Sequence, residues 1–103
     1  MGDHIWVAGT TGSTSGGTVP PDVTSQTARA LDTIEAALAE AGASLTEVVA
    51  ARIYVTDIEQ WQAVAEVLRD RLGSARPAMT IVQVARLMLP EHLIEVEAVA
   101  RSA

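Results

Sequence analysis

The stretch "LIEVEAVA", residues 93–100, carries two glutamates within an otherwise apolar segment. Successive side chains of a β-strand point to opposite faces, so this segment has one wholly apolar face. That face consists of Ile94, Val96, Ala98 and Ala100. The other face consists of Leu93, Glu95, Glu97 and Val99. The first face predicts a buried core, and the second predicts a surface on which two carboxylates are solvated or paired.

The composition of the chain predicts one small domain spanning residues 1–103, because 49% of the residues are apolar. The formal net charge is −6, which argues against a nucleic-acid partner or an anionic membrane surface. No apolar run approaches the roughly 20 residues that a membrane span needs. The N-terminus also lacks the basic-then-apolar pattern of a secretion signal. We therefore expect a cytoplasmic protein without nucleic-acid or membrane partners.

The residue types that the chain lacks exclude several kinds of catalytic and binding site. The chain has no cysteine and no lysine, which excludes thiolate nucleophiles, disulfides and lysine Schiff bases. Its two histidines, His4 and His92, do not stand in a metal-binding spacing, and we expect no metal site. Any catalysis must use carboxylates, arginines, hydroxyls, these histidines or backbone dipoles.

Four segments have the composition of strands: 4–9, 48–56, 78–87 and 93–100. Residues 10–22 are rich in Gly, Ser, Thr and Pro, which predicts a flexible loop or, alternatively, a substrate lid. Asp22 can cap a first helix that ends at Gly42. Asp57 can cap a second helix that ends at Gly73 and has Trp61 in its apolar stripe. The predicted order is strand, helix, strand, helix, strand, strand.

Two helices with one apolar stripe each can cover only one face of the sheet. In the strand 48–56, the residues predicted to face these helices are Val49, Ala51, Ile53 and Val55. The opposite face of the sheet then carries Arg52, Tyr54, Glu95 and Glu97 among apolar neighbours. A face that is partly apolar and partly charged is poorly suited to water, so we expect a second copy of the chain to cover it.

Several segments together resemble the RidA/YjgF (reactive intermediate deaminase) family. They are the helix "DVTSQTARALDTIEAALAEAGAS", the strand "VVAARIYVTDIEQW", the segment "RPAMTIVQVARL" and the final "IEVEAVA". The resemblance implies an α/β (α+β) chorismate-mutase-like fold, with a mixed sheet and two helices on one face. It also implies a homotrimer whose sheets form a central barrel, and ligand clefts between subunits. Family members typically hydrolyse reactive enamines or imines without a cofactor.

The resemblance also suggests site residues. Glu95 falls on the acidic position that holds and activates a water in the family, and Gly9 and Thr10 fall on a strand end that lines the cleft. Met79 and Ile81 lie in the "PAMTI" segment that is expected to bind substrate. Met79 stands where deaminating members have an arginine that binds the substrate carboxylate.

Two further features depart from the family pattern. Ala65 replaces an asparagine found in many members, and the match begins at the strand 4–9, without the strand that precedes it in the family. Because methionine cannot make a bidentate contact to a carboxylate, we expect a small, mostly uncharged enamine, imine or carbonyl substrate. Arg76 is a candidate to compensate for the missing arginine.

The resemblance leaves two functions open. The first is hydrolysis (deamination) or tautomerisation of a small molecule, with Glu95 as catalytic group. The alternative is a non-catalytic trimer that binds a metabolite or a protein and has lost its deaminase site. The alternative role for Glu95 itself is a structural ion pair with Arg52 or with an arginine of a neighbouring copy of the chain. We expect Glu97 to be structural.

Four other side chains have predicted structural roles. We expect His92 to be exposed in a turn and His4 to lie at the surface or in an interface. Trp61 is predicted to pack in the core. Tyr54 is predicted to form a hydrogen bond across a subunit contact.

Overall fold

The computed structural model describes residues 3–102 and has the predicted order of elements. The strands are β1 (Asp3–Thr11), β2 (Val48–Val55), β3 (Ala78–Gln83) and β4 (Ile94–Ser102). The helices are α1 (Val23–Glu40) and α2 (Trp61–Leu72). Short 3-10 turns precede β2 and α2. Strand β1 is longer at both ends than predicted, and β3 ends four residues earlier than predicted.

The four strands form one mixed sheet in the order β1-β4-β2-β3. The glutamate strand β4 is antiparallel to both β1 and β2, whereas β2 and β3 are parallel and are joined through α2. This arrangement makes β1 and β3 the two edge strands. The α+β architecture predicted from the sequence is confirmed.

Helix α1 begins and ends at the predicted signals, whereas α2 ends at the predicted Gly73 but begins at Trp61, without a side-chain cap from Asp57. The Asp22 carboxylate accepts a hydrogen bond from the Ser25 N–H at 2.9 Å, which caps α1 and holds the pKa of Asp22 below its usual value. Gly42 follows the helix with a φ of 81°, a conformation that favours glycine. Asp57 caps the 3-10 turn that leads into α2, and the Gly73 N–H donates to the Arg69 carbonyl at its end.

The core lies between the helices and one face of the sheet, and it includes the predicted apolar face of β4. All four residues of that face of β4 are buried: Ile94, Val96, Ala98 and Ala100. In β2, the prediction that Val49 faces the core is wrong, because Val49 is 45% exposed and Val48 is buried instead. The register between β2 and β4 shifts between Val48 and Ala50, and this bulge turns Val49 to the other face.

The prediction that Trp61 packs in the core is also wrong, since its side chain is 49% exposed. Trp61 is the first residue of α2, directly after the 3-10 turn, and Ile58 of that turn packs against the core. The buried residues of the helix are Val64, Leu68 and Leu72.

His92 is buried rather than exposed, with 6% of its surface accessible. Its Nε2 lies 3.0 Å from the Ser13 hydroxyl in the segment after β1. The fully buried Gln26 amide donates to the carbonyls of Pro20 and Glu91, and its oxygen accepts from the Leu93 N–H. The segment between β1 and α1, predicted as a flexible loop or lid, is thereby anchored near both of its ends.

Within residues 3–102, no helix combines the length and the apolar composition that crossing a bilayer requires.

Candidate functional site

The face of the sheet opposite the helices, here called the open face, carries a mixture of aromatic, aliphatic and charged side chains. Trp6 of β1 is 77% exposed there, and it lies in register with Val99 of β4. A depression of about 440 Å³ on this face is lined by His4, Trp6, Val49, Arg52 and Glu97, among others. His4 is exposed on this face, as expected of a surface or interface residue.

Glu95 lies on the open face, and its carboxylate rests against the backbone of β1. A β-carbon at Gly9 would lie 2.0 Å from Glu95 Oε2 and 3.0 Å from its Cδ, so only glycine leaves room for this carboxylate. The register of β1 and β4 shifts between Val7 and Thr10, which places Gly9 in a β-bulge. Thr10 Oγ1 donates to the Ala8 carbonyl within the bulge. The structure therefore brings together three predicted site residues: Gly9, Thr10 and Glu95.

The Glu95 carboxylate is half-buried, and no ion pair or side-chain hydrogen bond to it occurs within residues 3–102. The alternative role as an ion-pair partner of Arg52 is not observed, because Arg52 Nη1 lies 3.9 Å from Glu97 Oε1 instead. An acceptor held against a strand without a cationic partner is suited to bind a water or to take a proton.

Glu97 differs from Glu95, because its carboxylate has two partners on the open face. The Tyr54 hydroxyl donates to Glu97 Oε1, so its hydrogen bond lies within the chain and not across the predicted subunit contact. The hydrogen bond to Glu97, followed by desolvation, raises the pKa of Tyr54 above its usual value. Glu97 thus holds Tyr54 and Arg52 together on the open face.

The other predicted site residues lie on the helix side of the sheet. Met79 and Ile81 of β3 are in register with the buried residues Ala51 and Ile53. Together with Arg76 they line a groove of about 370 Å³ between α2 and β3. Met79 is 44% exposed in this groove, and Ala65, which replaces the asparagine of many family members, also lines it.

The sheet separates these two groups within one chain. Glu95 is in register with Tyr54 on the open face, whereas Met79 is in register with Ala51 on the helix side. Within one chain, the predicted binding residues Arg76, Met79 and Ile81 therefore lie in a different cleft from Glu95. Gly9 lies against Glu95, and Thr10 is the next residue of β1. A cleft that contains both groups requires two copies of the chain, and it remains a prediction.

Sequence reasoning did not identify Arg69 as part of the groove, although it lies there with Arg76. One indication was present in the sequence. Arg69 stands one turn before the helix end at Gly73, where it faces the segment that leads to β3. Within residues 3–102, no three His, Asp or Glu side chains are grouped as metal ligands would be.

Comparisons with known proteins agree with this architecture. A family model described as Endoribonuclease L-PSP matches residues 1–102. A RutC family protein of Pyrococcus abyssi is 38% identical over 97% of this chain and 80% of its own length. The 3-aminoacrylate deaminase RutC of Acinetobacter baylyi is 37% identical over 77% of this chain and 62% of its own length.

Solved structures have the same fold. The crystal structure of Rv2704 from Mycobacterium tuberculosis, a member of the YjgF/YER057c/UK114 family, superimposes with a TM-score of 0.90 at 45% identity. The superposition covers 99% of this chain and 81% of that one. The matches over almost the full length, in sequence and in fold, show that this chain belongs to the RidA/YjgF family.

Proposed function

We propose that this protein is a RidA-like enzyme that acts on a small enamine, imine or carbonyl compound by hydrolysis (deamination) or tautomerisation. Its site is a cleft between the subunits of a homotrimer, and it uses no cofactor. Family membership supports the reaction class, because the related RutC of Acinetobacter baylyi is named a 3-aminoacrylate deaminase. Deamination of an imine needs only water and proton transfers.

The main observation in support of this proposal is that the Glu95 carboxylate lies against Gly9. In the proposed reaction, Glu95 takes a proton from a water, whose oxygen attacks the imine carbon. The proton then passes to the imine nitrogen and gives a carbinolamine. The proton of its hydroxyl is next transferred to the amine, the carbon–nitrogen bond breaks, and ammonia and a carbonyl compound leave. An enamine first gains a proton on carbon to become the imine, and Glu95 in its protonated form can donate it.

The homotrimer is supported by the exposed side chains of the open face. Trp6, Val49 and Val82 are 77%, 45% and 41% exposed, and β2 and β4 contribute charged groups between them. Apolar surface of this kind marks an association site more often than a free surface. Association through this face would desolvate the Glu95 carboxylate further and strengthen its electrostatic contacts with a bound substrate.

A second candidate function is favoured by Met79. Without an arginine at this position, the chain can serve as a non-catalytic trimer that binds a metabolite or a protein. The groove that contains Met79 is largely apolar, with Leu68, Leu72, Pro77 and Ile81 around it. This candidate has the same fold and binding cleft but catalyses no reaction. It therefore predicts that substitution of Glu95 changes no reaction rate.

Ammonia release from two freshly generated substrates separates the candidates. One substrate is a neutral enamine and the other is 2-aminoacrylate, and the proteins are wild type, Glu95→Gln and Met79→Arg. The enzyme proposal expects acceleration by wild type of at least one substrate, and a loss of about 100-fold or more in Glu95→Gln. If wild type accelerates neither substrate and Met79→Arg creates turnover of 2-aminoacrylate, the non-catalytic candidate is supported and the enzyme proposal fails.

A further inference from the structure

A row of hydroxyl groups continues along the chain from Gly9 towards the buried ring of His92. Thr11 Oγ1 donates a hydrogen bond to Ser13 Oγ at 3.4 Å, and Ser13 Oγ lies 3.0 Å from His92 Nε2. Within residues 3–102, these are the side-chain hydrogen bonds that Thr11 and His92 make. The three side chains therefore form a short hydrogen-bonded chain, which begins in β1 and ends at a buried imidazole.

Thr11 stands beside Glu95 in the sheet. The two residues are partners in the register of β1 and β4. Directly opposite residues of antiparallel strands point to the same face, with their β-carbons about 5 Å apart. The neighbouring Thr10 is instead in register with the buried Val96, and its hydroxyl donates to the Ala8 carbonyl. Of the two threonines, Thr11 is thus the one that shares the open face with Glu95.

The hydrogen bond to Ser13 determines how the Thr11 hydroxyl can act on the open face. A hydroxyl has one proton to donate and two lone pairs that accept. Because Thr11 donates its proton to Ser13, its oxygen is left as an acceptor. The Glu95 carboxylate is also an acceptor, and it has no side-chain partner among residues 3–102. Two hydrogen-bond acceptors therefore lie side by side on one face.

The burial of His92 indicates that this hydroxyl chain does more than pack. The imidazole is 6% exposed, and its Nδ1 is buried without a partner in the described part of the chain. An unpaired buried nitrogen costs stability, whereas an aliphatic side chain would fill the same space without that cost. The Gln26 amide fixes the backbone on both sides of the ring, at Glu91 and Leu93. The ring is thereby held in place, and its Nε2 fixes the end of the hydroxyl chain.

We infer that Thr11 is a second acceptor for the water that Glu95 activates, and that Ser13 and His92 position the Thr11 hydroxyl. This inference rests on the proposed function and adds a site residue to it. One water bound about 2.8 Å from each oxygen spans two acceptors that are about 4.5 Å apart. When its two protons point to Glu95 and Thr11, its lone pair is free to attack the imine carbon. Glu95 takes the proton, and Thr11 holds the water without exchanging a proton.

A high-resolution crystal structure of the full chain tests the position of this water without turnover. We expect one ordered water within about 3.2 Å of both Thr11 Oγ1 and a carboxylate oxygen of Glu95. The water should be lost in Thr11→Val, which keeps the shape of the side chain and removes the hydroxyl. Thr11→Ser retains a hydroxyl, and it should retain the water.

Ammonia release gives the second measurement. Thr11→Val should lower kcat about 10-fold or more and change KM less than about 2-fold, because it removes a hydrogen bond to the attacking water and none to the substrate. The control is Thr33→Val, which removes an exposed hydroxyl of α1 and should behave as wild type does. Urea denaturation of each variant separates lost activity from lost folding.

Two substitutions of His92 test the positioning role. His92→Leu should lower kcat about 3-fold or more, because Ser13 loses the partner that holds it. His92→Gln should recover most of this loss, since its amide can bond to the Ser13 hydroxyl as Nε2 does. Equal losses in the two variants would show that the ring acts through packing alone, and would overturn this role.

The inference is overturned if no water is shared between Thr11 and Glu95, or if Thr11→Val retains the kcat of wild type. Its failure is distinguishable from failure of the proposed function. A shared water without ammonia release contradicts only the enzyme proposal, whereas ammonia release that is unchanged in Thr11→Val contradicts only this inference.

Discussion

The carboxylate of Glu95 on β4 occupies the space that a side chain at Gly9 on β1 would need, with Oε2 only 2.0 Å from the position of a β-carbon there. The β-bulge in β1 and the absence of a side chain at Gly9 together fix where this carboxylate lies. The relationship makes Gly9 a positioning residue for Glu95, and it can be tested separately from the carboxylate itself.

Gly9→Ala should fold but displace the Glu95 carboxylate, because the clashing atom is the end of a flexible side chain. We expect a change in unfolding free energy of less than about 1 kcal/mol and a loss of turnover of about 10-fold or more. The measurements are urea denaturation and ammonia release. Gly16→Ala is the matched control, since the nearest atoms to its β-carbon would be 3.9 Å away. Full activity in Gly9→Ala would contradict the positioning role.

Gln26→Ala should lower the unfolding free energy by about 3 kcal/mol, because it leaves the Leu93 N–H and two carbonyls without their partner and opens a cavity. Denaturant unfolding measures this change. The exposed Gln62 of α2 provides the control, and Gln62→Ala should change stability by no more than about 0.5 kcal/mol. Equal effects of the two substitutions would show that the buried amide does not hold the segment between β1 and α1.

Tyr54 is the one tyrosine of the chain, so the ultraviolet absorbance of tyrosinate reports its ionisation directly. The hydrogen bond to Glu97 raises its pKa above the ordinary value of 10.0. Because the pKa of Tyr54 is raised in the folded state, its hydrogen bond to Glu97 stabilises the fold below pH 10.0. This stabilisation is lost as the pH rises through the folded-state pKa. We expect Glu97→Gln to lower the observed pKa, and an unchanged titration would contradict the assigned cause.

Trp6→Arg tests whether the open face is the surface of association. Trp6 is 77% exposed in the single chain, and a charge in the middle of a subunit interface is costly to desolvate. We expect the variant to remain a single chain at concentrations at which wild type forms the proposed trimer, as measured by light scattering. Trp61→Arg, which changes a half-exposed tryptophan on α2, should remain trimeric. Dissociation of Trp61→Arg alone would place the interface elsewhere.

The sequence was sufficient to predict the order of elements, the Asp22 cap of α1 and the apolar face of β4, because alternation and capping are local properties. It predicted the wrong face for Val49, since a bulge depends on how β2 pairs with β4. It also misplaced His92, whose burial depends on contact with Ser13, far away in the chain. Features that arise from pairing between distant segments leave little local signal.

The candidate site was likewise predicted only in part. The family resemblance suggested Glu95, Gly9 and Thr10 as site residues, and the structure brings the three together beside the bulge in β1. It also suggested Met79 and Ile81, but the register of β3 with β2 puts them on the other side of the sheet from Glu95. Periodicity assigns faces within a strand, and it does not say which face of one strand aligns with which face of another. Arg69 became a candidate only when the packing of α2 against β3 was known.

A site that combines Glu95 with Met79 needs more than one copy of the chain, because the two side chains lie on opposite sides of the sheet. Sedimentation equilibrium of the wild-type protein at micromolar concentration measures the number of copies in the assembly. We expect a single species with the mass of three chains. A well-folded single chain under these conditions would show that the proposed cleft between subunits does not form.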